Sequence, residues 1–185
     1  MEPESGTLSS GTTSVSDTTA SAGKAVKFPA PATTPTTPSG EAMPIGNLLG
    51  QLYGRYSIRF KATAAAGQGT AMIVWPSSDI WSDGEIDYPE GNFDDTIHVY
   101  HHPTPCDMDD IKPPNHCGSP DSLGTRASWY QWHTATTEWT PTAIRYYLDG
   151  RIIKTVTHDI PKTTHHWTLQ VAPNGGNQPG KLEVD

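Results

Sequence analysis

The chain has 185 residues, 34% of them hydrophobic, and a formal net charge of −8 at pH 7. The length fits one domain with flanking sequence, and the negative charge argues against nucleic acid or an anionic membrane as a partner. No apolar run approaches the roughly 18–20 residues that a membrane-spanning helix needs, so we expect no membrane association and a soluble monomer.

Residues 1–45 are rich in Ser, Thr, Ala, Gly and Pro. A segment of this composition cannot bury enough apolar surface to offset the entropy that is lost when it becomes ordered. The composition therefore predicts a linker or a disordered segment over residues 1–45. Residues 24–28, Lys-Ala-Val-Lys-Phe, are the one patch in this segment that could form a short strand.

From residue 50 onward the sequence consists of short strand-like runs separated by turns. Residues 56–62 alternate apolar and polar side chains, which predicts a strand with one buried face. Residues 70–75 are nearly all apolar, which predicts a strand buried on both faces. Further strand-like runs are residues 96–101, 129–139 and 165–171. Because no helical period is evident, the pattern predicts an all-β protein built as a two-sheet antiparallel sandwich.

Three carboxylates, Glu85, Asp87 and Glu90, fall within six residues of one strand-like stretch. Glu85 and Asp87 are two apart and so share a face of a strand, whereas simple alternation would turn Glu90 away. A β-bulge at Tyr88–Pro89 would insert one extra residue and return Glu90 to the shared face, and bulges also tolerate proline. The sequence therefore predicts three carboxylates on one face of one strand.

Hydrolysis of a glycosidic bond with retention needs two carboxyl groups roughly 5–5.5 Å apart, one as nucleophile and one as acid and then base. Like charges this close cannot all stay ionised, so at least one pKa should rise. The alternative interpretation is a solvated edge strand with scattered acids. The surroundings favour chemistry on sugars, because residues 79–110 hold ten acidic residues and no Lys or Arg, with Trp75 and Trp81 close by.

Residues 84–90, Gly-Glu-Ile-Asp-Tyr-Pro-Glu, resemble the active-site signature of glycoside hydrolase family 16 in its bulge-containing form, Glu-x-Asp-x-x-Glu. That form is similar to laminarinases and related β-1,3-glucanases more than to lichenases, whose motif is one residue shorter. Further matches follow in the family's order, at residues 53–60, 132–141, 146–150 and 166–170. The resemblance implies a jelly roll of the concanavalin A type, with a partial catalytic domain over residues 46–185.

The resemblance also implies roles for individual residues. Glu85 would be the nucleophile, Glu90 the acid/base, and Asp87 the group that tunes them. Five residues would bind substrate: Trp75, Trp81, His98, His101 and Trp132. Because His98 and His101 have opposite strand parity, at most one of them should face the cleft unless a bulge intervenes.

The activity that the resemblance implies is endo-cleavage of a polysaccharide, a β-linked glucan with β-1,3 or mixed β-1,3/1,4 linkages, by a retaining double displacement. The alternative is a lectin-like module that binds polysaccharide without cutting it. Two departures from the family bear on this choice. The family normally has several strands before the segment that residues 53–60 resemble, whereas the sequence here is linker-like. The chain also ends at residue 185, where the family usually continues through another strand. Both predict an incomplete sandwich, truncated or internally deleted.

Cys106 and Cys117 lie in one long loop, and a disulfide between them would stabilise the fold by on the order of 2–3 kcal/mol. The alternative is two free thiols. Nearby histidines and aspartates could form a zinc site, but no pair has the tight spacing of a strong signal, so we expect no metal from spacing and no cofactor. The resemblance leaves a structural calcium ion open. The two cysteines in one loop indicate an extracellular protein, although no signal peptide is visible in this chain.

Overall fold

A computed structural model describes residues 50–102, 121–176 and 178–185, together with the backbone of four short strands nearer the N-terminus. Those four are β1 (Thr7–Leu8), β2 (Thr13–Ser16), β3 (Lys24–Lys27) and β4 (Gly40–Met43). The later strands are β5 (Gly54–Ala62), β6 (Gln68–Pro76), β7 (Glu85–Asn92), β8 (Thr96–His102), β9 (Asp121–Ser128), β10 (His133–Trp139), β11 (Ile144–Leu148), β12 (Arg151–Val156), β13 (His165–Pro173) and β14 (Lys181–Val184).

The helical structure in the described part of the chain is one 3-10 turn at Trp81–Asp83, directly before β7. No helix among the described residues has the length and apolar character that would let it cross a membrane. The predicted disulfide between Cys106 and Cys117 lies outside the described residues, as does most of the long loop that contains it.

The strands form two seven-stranded sheets in which the paired strands run antiparallel. One sheet has the order β1-β4-β13-β6-β7-β8-β9, and we call it the acid sheet because β7 carries the three carboxylates. The other has the order β12-β11-β10-β5-β14-β3-β2, and we call it the back sheet. The chain crosses between the sheets several times, with β6 to β9 consecutive in the acid sheet and β10 to β12 consecutive in the back sheet. The predicted all-β antiparallel sandwich is confirmed.

The core lies between the two sheets and follows from strict alternation along their strands. Met72 and Val74 of β6 are at most 1% exposed, and Phe60 of β5 is fully buried across from them. Burying one such side chain stabilises the fold by about 1.5–3 kcal/mol. The alternate residues of each strand point away from the core, which gives each sheet an outer face.

The first 43 residues contribute strands to both sheets, where the composition predicts a linker. β4 pairs with β13, and β3 pairs with β14. Composition reflects only the apolar surface that the segment could bury by itself. A preformed sheet edge also offers unpaired backbone N–H and C=O groups, which Ser- and Thr-rich segments can satisfy as well as apolar ones. The strand predicted within residues 24–28 is present as β3.

Candidate active site

The three acidic residues lie on β7, which is held between β6 and β8 in the acid sheet. Ala71 and Ile73 of β6 are two residues apart, yet they pair with Glu90 and Asp87, which are three apart. On the other side, Asp87 and Glu90 pair with Tyr100 and His98 of β8, which are likewise only two residues apart. One extra residue is therefore inserted between Asp87 and Glu90, and the predicted bulge is confirmed.

Alternation along β7 separates the carboxylates from the core. Ile86 and Tyr88 are 0% and 2% exposed and point inward. The Tyr88 hydroxyl donates a hydrogen bond of 2.9 Å to the carbonyl oxygen of Tyr147 on β11, which ties β7 to the back sheet. Glu85 and Asp87 therefore point to the outer face, and the bulge brings Glu90 to the same face.

An open cleft follows this outer face across β13, β6 and β7. A cavity of about 440 Å³ adjoins Glu85 and is lined by Trp75, among others, and a second of about 220 Å³ adjoins Glu90. Gln170 of β13 borders both cavities, so the depressions beside Glu85 and Glu90 are neighbours on the outer face. The predicted position of Trp75 beside the acids is thus observed.

Two neighbouring side chains hold the acids in place. The Trp81 indole Nε1 donates a hydrogen bond of 2.5 Å to Glu85 Oε2, because the 3-10 turn places this ring just before β7. His102 Nε2 lies 3.2 Å from Asp87 Oδ2 and 3.8 Å from Glu85 Oε2. The Trp81 and His102 rings also pack together, with centroids 5.6 Å apart. The nucleophile candidate is therefore held from two sides, by the turn that precedes β7 and by the neighbouring strand β8.

Burial and mutual repulsion raise the pKa values of two of the three acids. Burial raises the pKa of Asp87 well above its ordinary value, and the Glu85 carboxylate raises it further. Burial likewise raises the pKa of Glu90 to about 8, with Asp87 and Glu85 adding to the rise and His102 opposing it. At neutral pH Glu90 therefore keeps its proton, which is the form that a general acid requires.

The structure separates the two histidines that the sequence proposes for the cleft. His98 pairs with Glu90 across the β7–β8 ladder and shares its face, where its ring stacks on Tyr100 with centroids 5.7 Å apart. His101 is fully buried on the opposite face of β8, so the substrate-binding role predicted for it has no support in its position. His102 instead contacts the acids. The sequence suggests His102 only as one of several conceivable zinc ligands and not as a cleft residue, because the predicted strand ends at residue 101.

Trp132, also predicted to bind substrate, lies on the outer face of the back sheet. The Arg59 guanidinium is 4.2 Å from the centre of its ring, and Lys61 Nζ is 4.9 Å from it. These cation–π contacts hold the ring on the side of the sandwich opposite the acids. The prediction was wrong in position because Trp132 leads into β10, which pairs with β5 of the back sheet.

His166 and Gln170 border the cleft near Glu85 and were not proposed from the sequence. Both are even-numbered residues of β13, whose odd-numbered Trp167, Leu169 and Val171 are buried in the core. The alternation of buried and outward residues in β13 is visible in the sequence. The pairing of β13 with β6 is not, because the two strands are nearly a hundred residues apart in the chain.

Among the described residues, one group of three His, Asp or Glu side chains brings its ligand atoms within 4.8 Å of one another, and it is Glu85, Asp87 and His102. Calcium takes six to eight oxygen ligands, so a set that includes an imidazole does not suit it. The calcium ion that the family resemblance leaves open therefore stays a prediction without an assigned site.

The family model described as "Glycosyl hydrolases family 16" matches residues 48–175, more than half of the chain. The chain belongs to glycosyl hydrolases family 16. The matched range contains β7 with its bulge and the strands on both sides of it. Membership in family 16 therefore covers the whole of the cleft described above.

Solved structures of family 16 type share this fold. The laminarinase from Flavobacterium sp. UMI-01 superposes with a TM-score of 0.66 at 15% identity, covering 88% of this chain and 76% of that one. The Bacillus licheniformis β-glucanase gives 0.65 at 14% identity, covering 97% and 94%. SCLam, described as a non-specific endo-β-1,3(4)-glucanase from family GH16, gives a TM-score of 0.60 at 21% identity. The match covers 80% of the present chain, which spans 60% of the length of SCLam. Comparison with curated proteins finds no match.

Proposed function

We propose that this family 16 protein is an endo-acting hydrolase that cleaves a β-linked glucan, with β-1,3 or mixed β-1,3/1,4 linkages, by a retaining double displacement. The observation that carries the proposal is the bulged strand β7, which turns Glu85, Asp87 and Glu90 to one outer face. The raised pKa of Glu90 supports it further. Related structures described as laminarinase and glucanase support the substrate class.

In the first step Glu85 attacks the anomeric carbon while Glu90 gives its proton to the glycosidic oxygen that leaves. The bond from that oxygen to the anomeric carbon breaks, and a glycosyl ester forms on Glu85. In the second step the Glu90 carboxylate takes a proton from water, whose oxygen attacks the same carbon and releases Glu85. Two inversions give net retention.

The electrostatics of the cleft suit this change of role. The Glu85 carboxylate is one cause of the raised pKa values of Asp87 and Glu90. Once Glu85 is esterified its negative charge is lost, so both pKa values fall. Glu90 then favours the ionised form, which is the base that the second step needs. Asp87 links the two groups electrostatically, because the charge of Glu85 affects the pKa of Asp87 and the charge of Asp87 affects the pKa of Glu90.

Two further side chains orient the nucleophile. The hydrogen bond from Trp81 occupies Glu85 Oε2, so Oε1 is the oxygen left for attack. His102 contacts the same pair of acids from β8 and opposes the rise in the pKa of Glu90. The neighbouring depressions beside Glu85 and Glu90 suit a polymer that extends past the acids on both sides, as endo-cleavage requires. An extracellular location is part of the proposal, since polymers of this size are met outside cells.

The test is release of reducing ends from a panel of β-glucans, run with wild type and with Glu85→Gln after a thermal melt has shown that both are folded. We expect release from β-1,3-containing glucan that drops by several orders of magnitude in Glu85→Gln. Trp132→Ala is a matched control on the back sheet and should keep the activity. A folded protein that is retained by glucan in affinity electrophoresis but releases nothing would be a binding module instead.

A further inference from the structure

Glu85, Asp87 and His102 each bring one potential ligand atom within 4.8 Å of the others on the outer face of the acid sheet. The imidazole nitrogen lies 3.2 Å from the Asp87 oxygen and 3.8 Å from the Glu85 oxygen. In a tetrahedral zinc site with bonds of about 2.0–2.2 Å, ligand atoms stand about 3.3–3.6 Å apart. These side chains are therefore already close to the spacing of zinc ligands.

Asp87 supplies an independent sign that this cluster takes a ligand. Its side chain is only 4% exposed, and it points into the space between Glu85 and His102. Its Oδ1 has no hydrogen-bond partner among the residues that the structure describes. Buried carboxyl oxygens are costly when unpartnered, and a cation bound through both oxygens of Asp87 would remove that cost.

The composition of the set selects the kind of cation. Two carboxylates and one imidazole give three protein ligands of the oxygen and nitrogen type that Zn²⁺ accepts, with a fourth position for water. Mg²⁺ and Ca²⁺ require more oxygen ligands and bind imidazole poorly. The Glu85 and His102 side chains are 14% and 20% exposed, so an ion can enter from the cleft.

We propose that Glu85, Asp87 and His102 form a zinc site that competes with substrate for the cleft. A zinc ion bound there replaces Trp81 as the partner of Glu85 Oε2 and neutralises the carboxylate, so Oε1 becomes a weaker nucleophile toward the anomeric carbon. Zinc would thus be a reversible inhibitor of an enzyme whose own chemistry uses no metal. The inhibition rests on the proposed function, whereas the binding does not.

Isothermal titration of the full chain with ZnCl₂ tests the binding. We expect one ion per chain, and His102→Gln should weaken its binding at least about tenfold, since even outer-shell residues of metal sites cost 10–100-fold. His98→Gln is the matched control, because His98 lies on the same strand and face but outside the set. Unchanged binding in His102→Gln would overturn the proposal.

A second arm separates this site from the cysteines at 106 and 117, which are themselves suitable zinc ligands. The double variant Cys106→Ser/Cys117→Ser should keep the ion, and loss of binding there would assign the ion to the loop instead. If His102→Gln fails to fold, wild type loaded with Co²⁺ decides. An oxygen and nitrogen set gives no intense thiolate-to-cobalt band in the near ultraviolet, whereas such a band would overturn the proposal.

Activity distinguishes the two claims. Zinc should lower glucan hydrolysis by wild type, and EDTA should restore it. Zinc binding at Glu85, Asp87 and His102 without any hydrolysis would sink the proposed function and leave the zinc site standing. If no ion binds and zinc does not alter hydrolysis, the zinc site is overturned and the proposed function stands.

Discussion

Glu90 is shielded from water and faces two other acids, and both conditions favour its neutral form. Its pKa is raised to about 8, mainly by burial and then by Asp87 and Glu85. An ordinary glutamate near 4.5 would be ionised at neutral pH and unable to protonate a leaving group. The environment of one side chain therefore sets the pH range of the proposed reaction.

We expect kcat/KM for glucan hydrolysis to fall as the pH rises through about 8, because Glu90 then loses the proton that the first step consumes. The sign follows from the raised pKa, since the acid form persists up to that value and is lost above it. The measurement is kcat/KM against pH in buffers that contain EDTA, since this parameter reports the free enzyme.

Glu90→Gln should lower hydrolysis of glucan by about 10²–10⁴-fold and abolish the decline at high pH. A glucoside with a nitrophenol leaving group should be affected less in its first step, because that group needs no protonation. A decline near pH 8 that persists in Glu90→Gln would show that another group controls it.

At the scale of the element, β7 combines a regular strand with one inserted residue. The bulge lies between Asp87 and Glu90, so Pro89 or Tyr88 is the residue without a counterpart on β6 and β8. Tyr88 is buried in the core and bonded to the back sheet, which leaves Pro89 as the position whose loss the strand can tolerate.

Deletion of Pro89 should restore regular pairing and leave all three acids on the outer face, because they would then be two residues apart throughout. We expect this variant to fold and to keep measurable hydrolysis. Deletion of Ile86 is the matched control. It removes a regular position and turns Glu85 toward the core, so it should abolish activity and lower the melting temperature. Equal loss in both variants would contradict the role assigned to the bulge.

The N-terminal strands lead to a second prediction at this scale. β4 pairs with β13 on one side and with β1 on the other. Ala42→Pro removes a backbone N–H from that ladder and should lower the melting temperature by on the order of 5 °C or more. Ala32→Pro, in the same segment but outside the described strands, should have little effect. A linker over residues 1–45 would predict no change in either variant.

Strand alternation made much of the site predictable. It placed Glu85 and Asp87 on one face, required a bulge for Glu90, and showed that His98 and His101 could not both face the cleft. What the sequence could not supply was long-range pairing. His102 was not predicted in the cleft because β8 extends one residue beyond the predicted end of the strand. Trp132 lies on the back sheet because β10 pairs with β5. The sheet edges that pair with β3 and β4 likewise exist only once both sheets have formed.

At the scale of the whole molecule, the two outer faces have different chemistry. The acid sheet presents the carboxylates and Trp75. The back sheet presents cations paired with acids, such as Arg59 with Asp185 at 2.5 Å and Arg55 with Glu138 at 3.1 Å. The core separates the faces, so a polymer bound to one does not touch the other.

Trp75→Ala should therefore raise KM for glucan by about tenfold with a smaller effect on kcat, because the ring borders the cleft without contacting the reacting atoms. Trp132→Ala should leave both parameters unchanged and affect only the melting temperature, through its lost contacts with Arg59 and Lys61. A KM effect from Trp132→Ala would mean that substrate also reaches the back sheet.

The placement of all three acids on β7 separates what a member of this fold must keep from what it can vary. The three acids to which we assign the roles of nucleophile, tuning group and acid are spaced by covalent backbone over six residues, so their mutual geometry does not depend on any loop. Residues that border the cleft come from other strands, such as His166 and Gln170 on β13. Substrate preference can therefore drift by changes at the margins while the reaction itself is inherited as a single short segment.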